Sequence, residues 1–379
     1  MVEVKPVTTA KELKQFIRFR TRLYKDSKMA VPYLDMEEEA TLNKTKNAAF
    51  DHCEATYFVA EKDGKMVGRV AAIINHVANE RWKIQAVRFG WYDFIDDEEV
   101  SRALMQAVED WGSSKGMTEV IGPLGFTDMD REGMLIEGFE ERATMYTNYN
   151  YPYYPEHIER MGGFVKDNDY VECKVKVPEV IPDKFAKVSA MVERRYNLHV
   201  HKLTRRELLE EGYGRRVFEM VNVCYDDLYG YSRLSDRQID QLVESYIKVA
   251  DLNLITMIED WNEPGRPMVG FGITFPSFSE ALKRSGGRLF PLGWWHLLRT
   301  IKWHKTDTVD LLLIGVLPEY RAKGANALIF NDLIGWFQRY GFKWAEAMQQ
   351  METNEGVLSQ WQYLEARQHK RHRCYRKKL

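Results

Sequence analysis

The sequence of 379 residues lacks the features that are typical of disulfide-rich, metal-binding, membrane-spanning, secreted or nucleic-acid-binding proteins. Its four cysteines, Cys53, Cys173, Cys224 and Cys374, are scattered and show no metal-ligand or redox spacing. No apolar run approaches the roughly 18 residues that a membrane-spanning helix needs, and the first residues carry no apolar signal-peptide core. The 54 basic and 56 acidic residues leave a net charge of -2, which does not favour a nucleic-acid partner. We therefore expect a cytoplasmic protein with reduced thiols, no membrane span, no metal site and no nucleic-acid partner.

The chain does have the apolar content and the length for two folded units. Hydrophobic residues make up 45% of it, which is enough for a sizeable core. Hydrophobic periodicity predicts a similar order of strands and helices twice, once in each half. Pro178 and Pro182 interrupt both helices and strand ladders, so the boundary is expected between them. We predict two domains, residues 1–178 and residues 183–379.

A strand-to-helix turn in the second half carries the clearest functional pattern. The apolar strand that ends at Val316 is followed by a basic turn with Arg321, Lys323 and Gly324, and then by a helical pattern. The first turn of a helix offers unpaired N–H groups and a partial positive charge, and it therefore attracts anions. A glycine lets the backbone approach a phosphate closely. The turn is thus either a pyrophosphate site or an ordinary turn with two solvated basic residues.

This stretch resembles the acyl-CoA signature of the GNAT family of N-acyltransferases, (Gln/Arg)-x-x-Gly-x-(Gly/Ala). The matching residues are Val316, Pro318, Tyr320, Arg321, Lys323, Gly324 and Leu328. Asn326 departs from the signature at its last position. The resemblance implies an α/β (α+β) fold of two tandem GNAT-like domains, each a mixed, mainly antiparallel sheet flanked by helices. It implies acetyl-CoA or another acyl-CoA as a substrate, and the implied binding residues are Gly315, Val316, Arg321, Ala322, Lys323, Gly324, Ala325 and Asn326.

The equivalent turn of the first half has the opposite charge. It contains Asp96, Asp97, Glu98 and Glu99 and no glycine. Acidic side chains suit a helix N-terminus but fill the place of a phosphate and repel it. We therefore expect no working acyl-CoA site in the first half.

The resemblance also implies where catalytic groups should lie. In the family, backbone N–H groups at a parting of two strands hold the thioester carbonyl, and the matching segment here is residues 315–317. Asp310 and Glu346, on the two neighbouring strands, are candidates for the general base, although either could be a surface charge. The family's proton-donating tyrosine corresponds to Trp361, which cannot deliver a proton usefully. Tyr363, two residues further on, is the nearest candidate for that role.

Three other segments allow more than one interpretation. Residues 274–305 are too long for a hairpin loop and could be a packed helical insert, a lid or wall of the acceptor site, or a membrane-surface helix. The loop with Asp128, Asp130, Arg131 and Glu132 could line a pocket for an amine or could simply connect two elements. The basic run from residue 369 to the end is expected to be a solvated edge strand or tail, with binding of an acidic partner as the alternative.

The function that fits these features best is acyl-CoA-dependent N-acyl transfer by the second half. The acceptor would be an amine of a small molecule or peptide, and the sequence does not identify it. The alternative is a non-catalytic GNAT-like protein that binds acyl-CoA or another small ligand as a sensor or scaffold, which the missing tyrosine favours. A purely structural protein on the same fold is a third possibility.

Overall fold

The structure is a computed structural model that describes residues 1–247 and 249–379, without the side chain of residue 247. The strands are β1 (Glu3–Pro6), β2 (Cys53–Lys62), β3 (Lys65–Asn75), β4 (Ala86–Phe94), β5 (Glu119–Gly122), β6 (Met134–Glu137), β7 (Val165–Lys176), β8 (Leu198–His201), β9 (Ile255–Asp260), β10 (Met268–Pro276), β11 (Thr308–Val316), β12 (Trp344–Met351) and β13 (Ala366–Lys378). The helices are α1 (Ala10–Leu23), α2 (Asp35–Leu42), α3 (His76–Trp82), α4 (Glu98–Ser114), α5 (Tyr153–Met161), α6 (Asp183–Tyr196), α7 (Arg205–Leu209), α8 (Tyr213–Cys224), α9 (Asp236–Ile247), α10 (Ser279–Ser285), α11 (Gly293–Trp303), α12 (Pro318–Arg321), α13 (Asn326–Tyr340) and α14 (Glu355–Leu358).

In this part of the chain, the strands form one continuous sheet in the order β1-β2-β3-β4-β5-β13-β7-β12-β11-β10-β9-β8, with β6 pairing beside β13. Followed inward from the two ends, β1 to β5 and then β13 match β8 to β12 and then β7. The two sides of the sheet therefore have the same strand order, as expected for a duplicated chain. Within each half the pairing is antiparallel except for β4 with β5 and β11 with β12, which are parallel. The predicted fold class, a mixed and mainly antiparallel sheet flanked by helices, is confirmed.

The two halves exchange their last strands. β7 comes from the first half but pairs with β12, whereas β13 comes from the second half and pairs with β5. The exchanged strands also pair with each other, from Ala366 opposite Val175 to Arg376 opposite Val165. A division at residues 178–183 therefore does not separate two independent sheets, and the domain boundary stays a prediction.

The position of β13 corrects the expectation for the basic C-terminal run. That run was expected to be a solvated edge strand or tail, but it lies in the middle of the sheet. Its charges are balanced by the acidic strand β7: Lys370 donates to Glu172 at 2.7 Å, and Arg373 donates to Asp169 at 2.8 Å. The acidic partner of the run is thus this chain's own strand, which is distant in sequence.

Helices cover both faces of the sheet. In the first half, α4 packs on one face through Val100 and Leu104, and α1 packs on the other through Phe16. In the second half, α13 and α6 cover one face, and α8 and α9 contribute Phe218 and Tyr246 to the core of the other. Each helix contributes a 3.6-residue apolar stripe, which is why periodicity predicted most of them.

Two local predictions were wrong. The apolar pattern of residues 205–227 predicts one helix, but Gly212 adopts a left-handed φ of +78° that ends α7 and starts α8. The pattern of residues 162–177 predicts two strands, but β7 runs unbroken through them from Val165 to Lys176. The strand is unbroken because both of its edges are paired along its length.

We expect Lys370→Met to destabilise the whole chain strongly. Burial alone would lower the pKa of Lys370, but Glu172 beside it holds that pKa above its ordinary value, and both side chains are almost fully buried. Removing one partner of a buried pair leaves an uncompensated charge, which costs about 3–5 kcal/mol. The midpoint of urea unfolding should fall accordingly. Lys187→Met, which removes the exposed Lys187–Asp183 pair, should change it little; equal effects of the two substitutions would contradict the assigned role of β13.

Candidate acyl-CoA cleft and the adjoining cavity

The parting of β11 from β12 creates a cleft in the second half. The two strands pair in parallel from Thr308 opposite Trp344 to Leu311 opposite Ala347, and then they separate. Leu312 is skipped in the pairing of β11 with β10, so the strand bulges where the parting begins. The cleft has a volume of about 180 Å³ and is lined by residues from both strands, by α13 and by a loop of the first half. The predicted parting is therefore present.

The structure places the implied carbonyl-binding residues just beyond the cleft. Gly315 and Val316 still pair with β10, and the last β11 residue that lines the cleft is Ile314. A Cβ on Gly315 would lie 2.5 Å from the Phe271 ring, so glycine is needed there for packing against β10. The backbone exposed by the parting belongs to residues 312–314. This segment lies three residues before residues 315–317, which the family resemblance implied.

The turn that follows β11 has an open backbone. Gly324 has φ +81°, which favours glycine, and a Cβ there would lie 3.2 Å from Val188. Among the described residues, the amide groups of Ala325 and Asn326 donate to no backbone carbonyl, and Ala325 has no side-chain cap. Ala325 is fully buried, whereas Asn326 is partly exposed, so the Asn326 N–H is the one available to an anion.

The two basic side chains of the turn differ in their surroundings. Arg321 donates to the carbonyl oxygens of Val316 at 3.1 Å and Cys224 at 3.0 Å, so most of its guanidinium holds the turn together. Lys323 lies over the ring of Tyr320, with its Nζ 3.9 Å from the ring centre. Lys323 therefore remains beside the turn as a positive charge that a phosphate could use.

The equivalent places in the first half are occupied by the chain itself. The Asp97 side chain accepts from the Glu99 N–H and from Lys62 at 2.7 Å. Where β4 parts from β5, Asp93 accepts from Arg20 and Arg69, each at 2.9 Å. These three side chains are buried, and the space left at this parting is about 40 Å³.

Asp310 and Glu346 lie opposite each other one residue before the strands part. Glu346 lies 3.3 Å from the Lys174 ammonium and 2.8 Å from a ring nitrogen of His369. Burial first, and Glu346 second, raise the pKa of Asp310 well above its ordinary value. The Ser277 hydroxyl opposes this rise, but neither carboxyl oxygen of Asp310 makes a hydrogen bond of good geometry within the described chain. Burial and the neighbouring Glu346 therefore both favour the neutral form of Asp310.

Tyr363 does not line the cleft. Its ring is 38% exposed and lies under the Lys184 ammonium, whose Nζ is 3.2 Å from the ring centre. Trp361 lines the cleft instead and donates from its indole nitrogen to Gln350 at 2.9 Å. A proton-donating role for Tyr363 stays a prediction that this geometry does not favour.

A loop of the first half closes the cleft of the second. Glu132 and Asp128 both line the cleft, and Gln349 of β12 holds the loop by donating to the Glu132 carbonyl at 2.6 Å. Burial first, and Asp128 second, raise the pKa of Glu132 well above its ordinary value, while the Tyr170 hydroxyl opposes the rise. The interpretation of this loop as a pocket wall is thus the one the structure favours. The sequence signal was a run of carboxylates in a glycine-rich segment.

The same loop also lines a larger cavity of about 530 Å³ between the two halves. Apolar side chains dominate its wall; they include Leu34, Met129, Tyr146, Leu242, Leu282, Leu297 and Ile301. Carboxylates outnumber cations in the rest of the wall, with Glu37, Glu38, Asp130 and Glu244 against Lys46 and Arg131. Burial raises the pKa of Asp130 to about 6. The cavity therefore suits a ligand with a long apolar part and a positively charged group.

Tyr146 is a residue of the cavity wall that also feels the charge of Asp310, at the apex of the cleft. Its ring lines the cavity, and both Asp310 and Glu37 act on its hydroxyl electrostatically. The pKa of Tyr146 is raised first by burial and then by Tyr246, Asp310 and Glu37. The insert of residues 274–305 forms the opposite wall through α10 and α11. Lys283 fixes that insert to the first half by donating to the carbonyls of residues 27, 28 and 30.

The chain is similar over nearly its whole length to known proteins. No protein-family model matches it. Protein YghO of Escherichia coli (strain K12) is 28% identical over 372 residues, which cover 97% of this chain and 93% of that protein. A bacterial ceramide synthase of Caulobacter vibrioides is 26% identical over 403 residues, which cover 100% of this chain and 98% of that protein.

A solved structure of a tandem GNAT protein from the clavulanic acid biosynthesis pathway superimposes with a TM-score of 0.58 at 11% identity. The alignment covers 100% of this chain and 98% of that one. The chain therefore has the GNAT fold, arranged as a tandem, as the turn after β11 indicated. Within residues 1–247 and 249–379, no helix is long and apolar enough to cross a membrane.

We expect one coenzyme A site per chain, in the second half. Gly324→Asp should abolish binding in calorimetric titration, because it adds a side chain and a negative charge where the phosphates would lie, at a left-handed φ. Asp97→Ala, at the turn of the first half, should leave binding unchanged.

Gly341→Asp separates backbone strain from loss of the site. Gly341 has φ +75° at the other end of α13, and a Cβ there would meet no atom within 4 Å. This variant should therefore bind coenzyme A normally despite a comparable backbone strain. Two equivalent coenzyme A sites in the native chain, or binding that survives Gly324→Asp, would show that coenzyme A does not bind at the turn after β11.

Proposed function

We propose that the chain is an acyl-CoA-dependent N-acyltransferase that works through the cleft between β11 and β12. The observation that carries the proposal is the open parting of these strands, followed directly by a turn with the unpaired N–H of Asn326 and the ammonium group of Lys323. The pyrophosphate of the cofactor would lie on that turn, and its thioester arm would follow the backbone of residues 312–314. The first half has the same elements, but there they are filled by its own side chains.

The acceptor that fits the adjoining cavity is an amine with a long apolar chain. The cavity volume is within the roughly 300–1,000 Å³ of ordinary ligand sites, and its wall is mainly apolar with an excess of carboxylates. The name of one relative, a bacterial ceramide synthase, agrees with this chemistry, because a ceramide is the amide of a fatty acid with a long-chain amino alcohol. The amine would reach the thioester beside the loop of residues 126–132, which lines both spaces.

The chemistry requires a neutral amine and a proton for the leaving thiolate. In the proposed reaction, Glu132 takes the proton from the ammonium group, and the amine nitrogen attacks the thioester carbonyl. The C–S bond then breaks and the thiolate takes up a proton. As the amide forms, its nitrogen loses its second proton, which returns to the group that protonated the thiolate, and the proton on Glu132 passes to solvent. Asp310 lies at the apex of the parting and is the proposed source of the proton that the thiolate takes up, because burial first and Glu346 second raise its pKa and so favour its protonated form. Exposed backbone N–H groups of residues 312–314 would stabilise the oxyanion.

A non-catalytic ligand-binding protein is the rival function. Trp361 at the family's tyrosine position favours it, because an indole N–H bonded to Gln350 supplies no proton. Release of free coenzyme A thiol from acyl-CoA in the presence of an amine decides between the two. Binding without release for every amine and acyl chain offered would establish the sensor or scaffold.

We expect the activity to depend on a deprotonated Glu132 and a protonated Asp310. Ionisation of Glu132 should raise the rate, and loss of the proton from Asp310 should lower it, with both pKa values above the ordinary range of a carboxyl group. Glu132→Gln should remove the rising limb and Asp310→Asn the falling limb, each with a loss of about 100-fold in kcat. Both variants should bind coenzyme A normally.

Glu137→Gln provides the matched control for these substitutions. Glu137 lies on strand β6, which begins two residues after Glu132, and its side chain is 63% exposed. This variant should retain the rate and both limbs of the pH profile. Unchanged profiles in Glu132→Gln and Asp310→Asn would exclude both residues from proton transfer without excluding the reaction itself.

We expect long-chain amines to be better acceptors than short ones, because the apolar wall of the cavity would bind the chain. Leu242→Trp, which fills part of the cavity wall, should raise the KM for a long-chain amino alcohol by roughly tenfold and change the KM for acyl-CoA little. Leu209→Trp, on the surface of α7, should change neither constant. Equal use of short and long amines would show that the acceptor does not occupy this cavity.

A further inference from the structure

Helix α11 and the segment before it expose an unusual group of apolar side chains. Phe290 is 76% exposed and Leu292 is 63% exposed, and Trp294, Trp295 and Trp303 are 42–51% exposed. The rings of Trp294 and Trp295 lie 5.9 Å apart, and those of Trp295 and Trp303 lie 5.7 Å apart. The three tryptophan rings therefore form one continuous surface, which we name the tryptophan face, and Phe290 and Leu292 are exposed in the segment just before it. An exposed apolar cluster of this kind normally marks an interaction site.

Basic side chains border the tryptophan face. Lys302 and Lys305 are exposed, and Arg299 is partly exposed. None of the three forms an ion pair with a carboxylate in the described part of the chain. The local charge is therefore positive, although the chain as a whole carries a net charge of -2.

Another side of the same helix faces the acceptor cavity. Leu297 and Ile301 line the cavity, and Thr300 between them is buried. The helix is about 16 Å long at 1.5 Å per residue, and its two faces differ in kind: one is enclosed in the protein and the other is aromatic and basic. Only this one layer of structure separates the tryptophan face from the cavity.

We propose that the tryptophan face docks on the surface of an anionic phospholipid membrane. Tryptophan and phenylalanine side chains enter the boundary between headgroups and acyl chains, while lysine and arginine attract anionic headgroups. The helix lies parallel to the surface, and the acceptor cavity opens behind it. A lipid amine then needs to travel only past α11 to reach the cavity.

A second copy of the chain fits this face less well. In a two-fold dimer the same surface meets itself, so Arg299, Lys302 and Lys305 of the two copies would be brought together. With no described carboxylate to pair with them, these like charges would repel. An anionic membrane, in contrast, complements the charge and the aromatic side chains at the same time.

Vesicle flotation of the full chain, without acyl-CoA, tests the proposal. We expect binding to phosphatidylcholine vesicles that contain phosphatidylglycerol, weaker binding to vesicles of phosphatidylcholine alone, and release at high salt. The double variant Lys302→Glu, Lys305→Glu should bind the anionic vesicles at least about 20-fold more weakly. The double variant Trp294→Ser, Trp303→Ser should also lose binding, because the aromatic anchors are gone.

Two matched controls distinguish this face from general surface effects. Lys11→Glu with Lys14→Glu makes the same charge change on the exposed side of α1, and Trp261→Ser removes a tryptophan of similar exposure (43%) at the end of β9. Both controls should bind vesicles as the native chain does. The coenzyme A affinity of each variant shows whether it is folded. The effect of salt on vesicle binding is measured on the native chain and therefore does not depend on the folding of any variant.

The result that would overturn the proposal is a native chain that does not float with anionic vesicles, or controls that lose binding as much as the variants. A native dimer in gel filtration that the tryptophan variant dissociates, together with no vesicle binding, would assign the face to a second copy. The inference does not depend on the proposed reaction, because vesicle binding and amide formation are measured separately.

Discussion

The antiparallel pairing of β7 with β13 is the constraint on which the rest of the structure depends, because each of these strands comes from one half and completes the sheet of the other. At its centre Glu172 lies between Lys370, at 2.7 Å, and His372, at 2.5 Å, with all three side chains buried. Burial alone would raise the pKa of Glu172, but the two basic neighbours hold it well below its ordinary value. A slip of one residue would turn both Lys370 and His372 to the other face, away from Glu172. The charges therefore help to fix the register of the two strands.

This exchange also explains why the candidate site contains parts of both halves. Because β7 lies beside β12, the loop of residues 126–132 reaches the open end of the cleft, where Gln349 binds it. The cleft is thus built by the second half and closed by carboxylates of the first. In the first half, Asp93 and its two arginine partners fill the corresponding parting. The first half contributes instead a wall of the acceptor cavity.

Local structure was largely predictable from the sequence, because it depends on neighbours in the chain. The Asp63–Gly64 hairpin, the strand that ends at Val316 and the helix after Gly324 all follow from periodicity and turn residues. The exchange was not predictable in this way, since it is decided by contacts about 200 residues apart. The basic run of β13 was interpreted as solvated because a single strand does not reveal that its counter-charges lie on β7. For the site, the turn with Lys323 could be found, whereas Glu132 could be connected with the cleft only through its distant contact with Gln349.

The burial of the acidic groups has a consequence for the proposed chemistry. Low-dielectric surroundings disfavour charged forms, so a carboxylate and an ammonium group that meet there tend to exchange a proton and become an acid and a neutral amine. The raised pKa of Glu132 expresses this preference in the empty cleft. An amine that enters from the apolar cavity leaves its own hydration behind, which lowers its pKa as well. Both shifts act in the same direction, so desolvation by itself would produce the neutral amine that attack on a thioester requires.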